Sequence, residues 1–108
     1  MRIATLLLGF CLMAGAQAQT AVRFALDWRF EGPAAPYFVA IDKGYYKAEG
    51  LDVTIDPGSG SVEGINRVAS GNYPFGFADI NSLIKYRDNP KNAAIQAVMM
   101  VYDTPADR

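Results

Sequence analysis

Lys43-Gly44-Tyr45-Tyr46-Lys47-Ala48-Glu49-Gly50-Leu51-Asp52-Val53-Thr54-Ile55 is the stretch that decides the fold. Gly44 is placed to cap a helix at its C-terminus, where a left-handed residue is needed. Tyr45 to Glu49 can add one more turn before Gly50. Leu51 to Ile55 then alternates apolar and polar residues, the period of a strand with one covered face. Helix, glycine, strand is half of a β-α-β unit. Upstream, the helix starts at about Ala35 with Pro36 in its first turn, and Phe38, Ile41 and Tyr45 are expected on its inward face. Before it, Val22-Arg23-Phe24-Ala25-Leu26 alternates and predicts a first strand, followed by the loop Asp27-Trp28-Arg29-Phe30-Glu31-Gly32-Pro33.

Downstream, Asp56-Pro57-Gly58-Ser59-Gly60 turns the chain. A second helix is expected from about Ser61 to Ser70, with Val62, Ile65, Val68 and Ala69 on one face and Gly71 ending it. Pro74 to Ala78 reads as a short apolar strand. Asp79 or Asn81 can cap a third helix carrying Ile80, Leu83 and Ile84, which Asn89-Pro90 stops. Ala94 to Tyr102 is a continuous apolar run, the pattern of a parallel strand covered on both faces, with Met99 and Met100 most simply in the core, although Met100 or Tyr102 could line a pocket mouth. The order β-α-β-α-β-α-β predicts an α/β fold: a mostly parallel sheet, right-handed crossovers and helices on both faces.

Composition narrows the function. The 108 residues carry a formal charge of −1 and contain no His. No basic field is available for nucleic acid or anionic lipid, and the usual general base and commonest metal ligand are absent. Arg2, the apolar run Ile3 to Ala16 and the A-x-A signal Ala16-Gln17-Ala18 read as a signal peptide over residues 1–18. The run falls short of the ~20 apolar residues that span a bilayer. Phe10 before Cys11 argues against a lipid-acceptor cysteine. Cleavage removes Arg2 and no acid, so ten basic side chains become nine against eleven acidic, a formal −2. It also removes Cys11, the only cysteine, so the exported residues 19–108 have no disulfide and no thiolate metal site.

In open α/β sheets, ligands bind beyond the carboxyl ends of the strands. Four segments are expected there: Asp27-Trp28-Arg29, Gly58-Ser59-Gly60-Ser61, Ala78-Asp79-Ile80-Asn81 and Tyr102-Asp103. The glycine turn can offer backbone N–H groups to an anion at a helix start, or be an ordinary turn with a Ser cap. Gly64 comes one residue late for a dinucleotide fingerprint, and no Gly-Lys-Ser/Thr follows for a phosphate loop. Trp28 is read as stacking on a ligand ring rather than covering the sheet edge. Arg29 is expected in a solvated cluster with Glu31 or Asp27. Asp79 can serve as cap, as ligand acceptor, or as both. Asp27 and Asp79 lack the other signs of a hydrolytic carboxylate pair, and no catalytic residue is assigned.

Leu26-Asp27-Trp28, Ala35-Pro36-Tyr37-Phe38-Val39-Ala40 and the stretch Lys43 to Val53 resemble the N-terminal part of a periplasmic solute-binding protein of an ABC importer. Gly58-Ser59-Gly60-Ser61 and Gly76-Phe77-Ala78-Asp79 continue the likeness, which runs from Val22 to Tyr102. The similar branch binds thiamine pyrimidine precursors, nitrate or alkanesulfonates. The resemblance implies a type II periplasmic-binding-protein fold, of which residues 19–108 are the N-terminal part of lobe one. The whole would be a two-lobed clamp, monomeric and periplasmic, that binds a small solute without a cofactor. It would work with an inner-membrane permease and its ATPase. Carried over by position, the ligand contacts are Asp27, Trp28, Tyr37, Gly60, Ser61 and Asp79. An indole beside an acid leans towards the pyrimidine precursor, whereas nitrate or a sulfonate would use Gly60 and Ser61 as an anion nest. Pyrimidine synthases of thiamine biosynthesis resemble the same opening segment, but they use a histidine where Arg29 to Ala35 has none. A truncated chain without binding function is the remaining alternative.

Overall fold

The computed structural model describes residues 17–104. The expected signal peptide therefore lies outside the described residues except for Gln17 and Ala18. The described chain forms a three-stranded parallel sheet in the order β2-β1-β3. Strand β1 (Thr20–Ala25) and β2 (Leu51–Asp56) pair along their whole length, from Thr20 opposite Leu51 to Ala25 opposite Asp56. Strand β3 is only Phe75–Gly76, and it pairs with Phe24 and Ala25 on the other side of β1. The helices are α1 (Ala35–Asp42), α2 (Tyr45–Ala48), α3 (Ser61–Ala69) and α4 (Ile80–Arg87), with one 3-10 turn at Gly32–Ala34 ahead of α1.

The strand alternation sets two faces. Phe24 and Leu26 of the β1 segment share one face with Val53 and Ile55 of β2, and Ala34, Tyr37 and Phe38 from the start of α1 cover it. Ala25, with 0% of its surface exposed, points to the other face beside Gly76, where α3 lies. Both residues are small because α3 comes close: a Cβ on Gly76 would stand 3.0 Å from Val68 Cγ2. Helices thus cover both sides of the parallel sheet, as the sequence pattern predicts. Arg23 and Asp56 occupy the α3 face at its polar margin, 2.9 Å apart. The Tyr73 hydroxyl donates to the Asp56 carboxylate at 2.7 Å, and the Arg23 guanidinium lies 4.3 Å from the centre of the Tyr73 ring. This polar lock ties the ends of β1 and β2 to the chain entering β3.

Gly44 supplies the predicted reversal, with φ at 71°, a region that residues with a Cβ disfavour. Its N–H donates to the Ile41 carbonyl at 3.0 Å, closing the end of α1. The reversal also changes the expected inward face. Tyr45 leaves the line of α1 and is exposed, as is Ile41 in the last turn. The inward stripe is instead buried Ala34 with half-buried Tyr37 and Phe38, at spacings of three and four. On α3 the buried residues are Gly64 and Ile65, with Val68 beside them. Val62 lies beyond Ile65 on the side away from Gly64 and Val68, at the margin of that stripe, and is exposed, contrary to its expected place.

The fourth strand is the main correction. Residues 93–100 form no strand, and Val98 and Met99 are 78% and 79% exposed, so the methionine pair is not core. Hydrophobic content alone does not make a strand; a ladder partner is required. The neighbouring edge would be β3, whose two residues offer too short a ladder for a nine-residue run. The segment instead follows the clefts at the carboxyl end of the sheet.

Candidate functional site

The strands deliver their chain to one edge. Asp27 and Trp28 follow β1, Gly58 to Gly60 follow β2, and Phe77 to Asp79 follow β3. Backbone bonds lock these loops together: Gly60 N–H donates to the Asp27 carbonyl at 2.7 Å, and Gly58 N–H to the Trp28 carbonyl at 3.1 Å. Gly58 is required by proximity, not by its φ. A Cβ there would lie 2.0 Å from the Leu26 carbonyl oxygen.

Two clefts of about 510 and 490 Å³ open at this edge. The first lies between α3, β3, α4 and the segment after Ala94, and Asp79 lines it together with apolar residues such as Ile65 and Leu83. The second lies between the Asp27–Glu31 loop and the start of α1, lined by Trp28 and Tyr37. Asp27, Phe77, Met99 and Tyr102 line both. The convergence of the four segments expected at the carboxyl edge is therefore present. Phe77, Met99 and Glu31 join the expected residues. Phe77 was legible in principle, because it alternates with Phe75, but it reads equally well as core.

The site residues fall into two groups. Asp27, Trp28, Tyr37 and Asp79 line the clefts. Gly60 and Ser61 act behind them. The Ser61 hydroxyl accepts the Asp79 N–H at 2.9 Å, so it ties the loop carrying Asp79 to the start of α3. Asp79 is the α4 cap, its Oδ2 accepting the Ser82 N–H at 3.0 Å. Tyr37 does double service: its ring stands 5.2 Å from that of Phe24 in the core cluster while its other side lines the second cleft. Arg29 does not join the carboxylates as expected. Its guanidinium lies 5.2 Å from the Trp28 ring centre, and the salt bridges among the described residues are Arg23–Asp56 and Arg67–Glu63. A face of an electron-rich indole competes well with a water-exposed carboxylate for a guanidinium.

The glycine turn is not an open nest. The N–H groups of Gly58 and Gly60 are spent on the Asp27-Trp28 loop, and that of Ser59 donates to Glu63 Oε2 at 2.6 Å. Glu63 stands three residues after the α3 N-cap Gly60 and at the ion-pair spacing from Arg67, and its carboxylate reaches back past the cap to the Ser59 N–H, a variation on the capping box. Ser61 is accordingly the first helical residue and not the cap. The Ser59 N–H bond, followed by Arg67, holds the Glu63 carboxyl below its ordinary pKa. Burial pushes the Asp27 carboxyl above its ordinary pKa, and Asp79 adds to the rise; Ser61 and the Asp27 backbone oppose it. The edge is therefore a hydrogen-bond-accepting, locally acidic site flanked by aromatic rings. Among the described residues no group of three or more His, Cys, Asp or Glu is placed to hold a metal ion. No helix among them is long and apolar enough to cross a membrane.

A family model described as NMT1/THI5 like matches residues 33–107, well over half of the chain. The chain belongs to the NMT1/THI5-like family. Members of the NMT1/THI5-like family are mostly substrate-binding proteins of ABC transporters, which are not enzymes, while its THI5 member is ambiguous in this respect. They generally bind a small solute, work with a permease and ATPase, and are typically periplasmic. The matched span begins after Trp28 and covers α1 through the second cleft's Tyr102. The small parallel α/β sheet agrees with a partial periplasmic-binding-protein lobe. No curated protein and no solved structure matches the chain significantly.

Proposed function

We propose that the chain belongs to the first lobe of a periplasmic solute-binding protein and captures an amino-bearing heterocycle of the thiamine-pyrimidine-precursor type for an ABC importer. The observation that carries this reading is the state of the glycine turn. The N–H groups of Gly58, Ser59 and Gly60 are already spent, one of them on a carboxylate, so an oxyanion such as nitrate or a sulfonate finds few donors left there. Asp27 and Asp79 line the clefts as acceptors instead, and an amino group or ring N–H is the complementary donor. Trp28 and Tyr37 offer flat apolar surface to a planar ring.

Capture works by enclosure. Solute enters the open edge, Asp27 accepts its donor while Trp28 stacks, and a second lobe of the whole protein closes over both. Gly60 keeps the backbone of Asp27 in place, and Ser61 that of Asp79. The permease then recognises the closed form. The test is a titration of the chain with a 4-aminopyrimidine, nitrate and ethanesulfonate, followed by Trp28 fluorescence, which is unambiguous because Trp28 is the only tryptophan. Saturable quenching by the aminopyrimidine alone is the expected result. Saturation by nitrate or ethanesulfonate in its place overturns the reading.

A further inference from the structure

The second cleft has features that go beyond accepting a hydrogen bond. Four aromatic rings line it, those of Trp28, Tyr37, Phe77 and Tyr102. Phe77 and Tyr102 stand 5.8 Å apart at 45°, so they form a bent wall and not a flat stack. The carboxylates of Asp27 and Glu31 share the lining with one cation, Arg29. Electron-rich ring faces attract positive charge, and carboxylates close by strengthen the attraction where water is scarce.

We propose that this aromatic cage selects a solute that carries a positive charge, an organic ammonium or a protonated amino-heterocycle, over its neutral isostere. The inference rests on the reading of the chain as a solute binder and adds the charge of what is bound. Arg29 supplies the internal precedent. Its guanidinium already occupies a cation position 5.2 Å from the Trp28 ring centre, on a loop, where it can be displaced by a better-fitting cation.

Choline and 3,3-dimethylbutan-1-ol are the probes, since they share one shape and differ by the charge. Each is titrated into the chain at neutral pH and low salt, with Trp28 fluorescence as the readout, beside the 4-aminopyrimidine of the previous test. Choline is expected to bind at least tenfold more tightly than the alcohol. Asp27→Asn should weaken choline at least fivefold and leave the alcohol within twofold. Arg29→Ala should tighten choline, because the resident cation is gone. Equal affinity for the two isosteres overturns the inference, and so does an unchanged or weaker choline affinity in Arg29→Ala. If the aminopyrimidine binds and choline does not, the charge inference fails while the solute-binding reading stands. If none of the three binds, both fail.

Discussion

Gly58→Ala places a methyl where the structure has no room. The new Cβ would stand 2.0 Å from the Leu26 carbonyl oxygen and 3.0 Å from the carbonyl carbons of Leu26 and Asp27. All three atoms are backbone, so no rotamer change relieves the contact. Either the turn after β2 or the loop after β1 must withdraw. Withdrawal breaks the Gly58-to-Trp28 and Gly60-to-Asp27 bonds that hold the site together. Forcing extra methyl groups into well-packed positions costs typically ~1–3 kcal/mol, and a clash with backbone belongs at or above the top of that range. About 3 kcal/mol corresponds to a fall in Tm of roughly 12–24 °C for a domain of 60–100 residues. Gly64→Ala is the matched control. Its Cβ would lie 3.4 Å from the Phe77 carbonyl oxygen, a tight contact that gives by tenths of an ångström. Alanine also gains about 1 kcal/mol of helix propensity over glycine there. Urea unfolding of wild type, Gly58→Ala and Gly64→Ala, followed by far-UV circular dichroism and Trp28 fluorescence, should place Gly58→Ala about 3 kcal/mol below wild type and Gly64→Ala within about 1 kcal/mol of it. A Gly58→Ala midpoint equal to that of wild type would refute the close approach, and with it the claim that the glycine serves contact and not conformation.

Asp27→Asn should abolish aminopyrimidine binding while leaving stability equal or higher. Asp27's carboxyl is raised in the fold, so its charge costs stability as pH rises through that pKa; calorimetry and thermal melts at pH 7 separate the two effects. Asp56 has the opposite sign: its bonds from Tyr73 and then Arg23 hold it below 3.8, and the stability it contributes is present above that value and lost as pH falls through the folded pKa. Asp56→Asn should flatten the acid limb of a pH-dependent melt, and an unchanged limb would count against the lock. Asp79→Ala removes the α4 cap and should cost about 1 kcal/mol in urea unfolding. Trp28→Ala should weaken aminopyrimidine binding more than threefold in calorimetry, since an aromatic contact contributes ~0.5–1.5 kcal/mol beyond burial; a smaller change removes stacking from the mechanism.

What could be read from the sequence followed the range of the interactions. Gly44, Gly50, Asp79 and the alternation of Leu51 to Ile55 act within a few residues of themselves, and each stands where local chemistry puts it. The carboxyl-edge convergence also came through, because topology alone sends Asp27, Gly58 and Asp79 to one end of a parallel sheet. Ala94 to Tyr102 departs from the strand its pattern predicts because that pattern is local while strand pairing is not: β3 is two residues long, and no periodicity reveals the length of a neighbour's ladder. Periodicity predicts Ile41, Tyr45 and Val62 inward, yet the Gly44 reversal carries Tyr45 into α2, and the narrow sheet leaves Ile41 and Val62 exposed at the margins of α1 and α3.

The glycine turn carries the sharpest lesson about function. Gly58-Ser59-Gly60-Ser61 has the composition of an anion nest, and the N–H groups are indeed gathered at a helix start. Occupancy, not composition, decides what such a turn can bind. Glu63 reaches back to Ser59, and Arg67, paired with Glu63, donates to the Pro57 carbonyl at 2.7 Å, so the turn is filled and braced by its own helix. Its role becomes mechanical: it holds Asp27 and Asp79 forward as acceptors instead of holding a ligand anion itself. The chemistry of the site is thereby inverted relative to the motif, from attracting negative charge to accepting donors, and that inversion is what favours an amino-bearing solute over nitrate or a sulfonate.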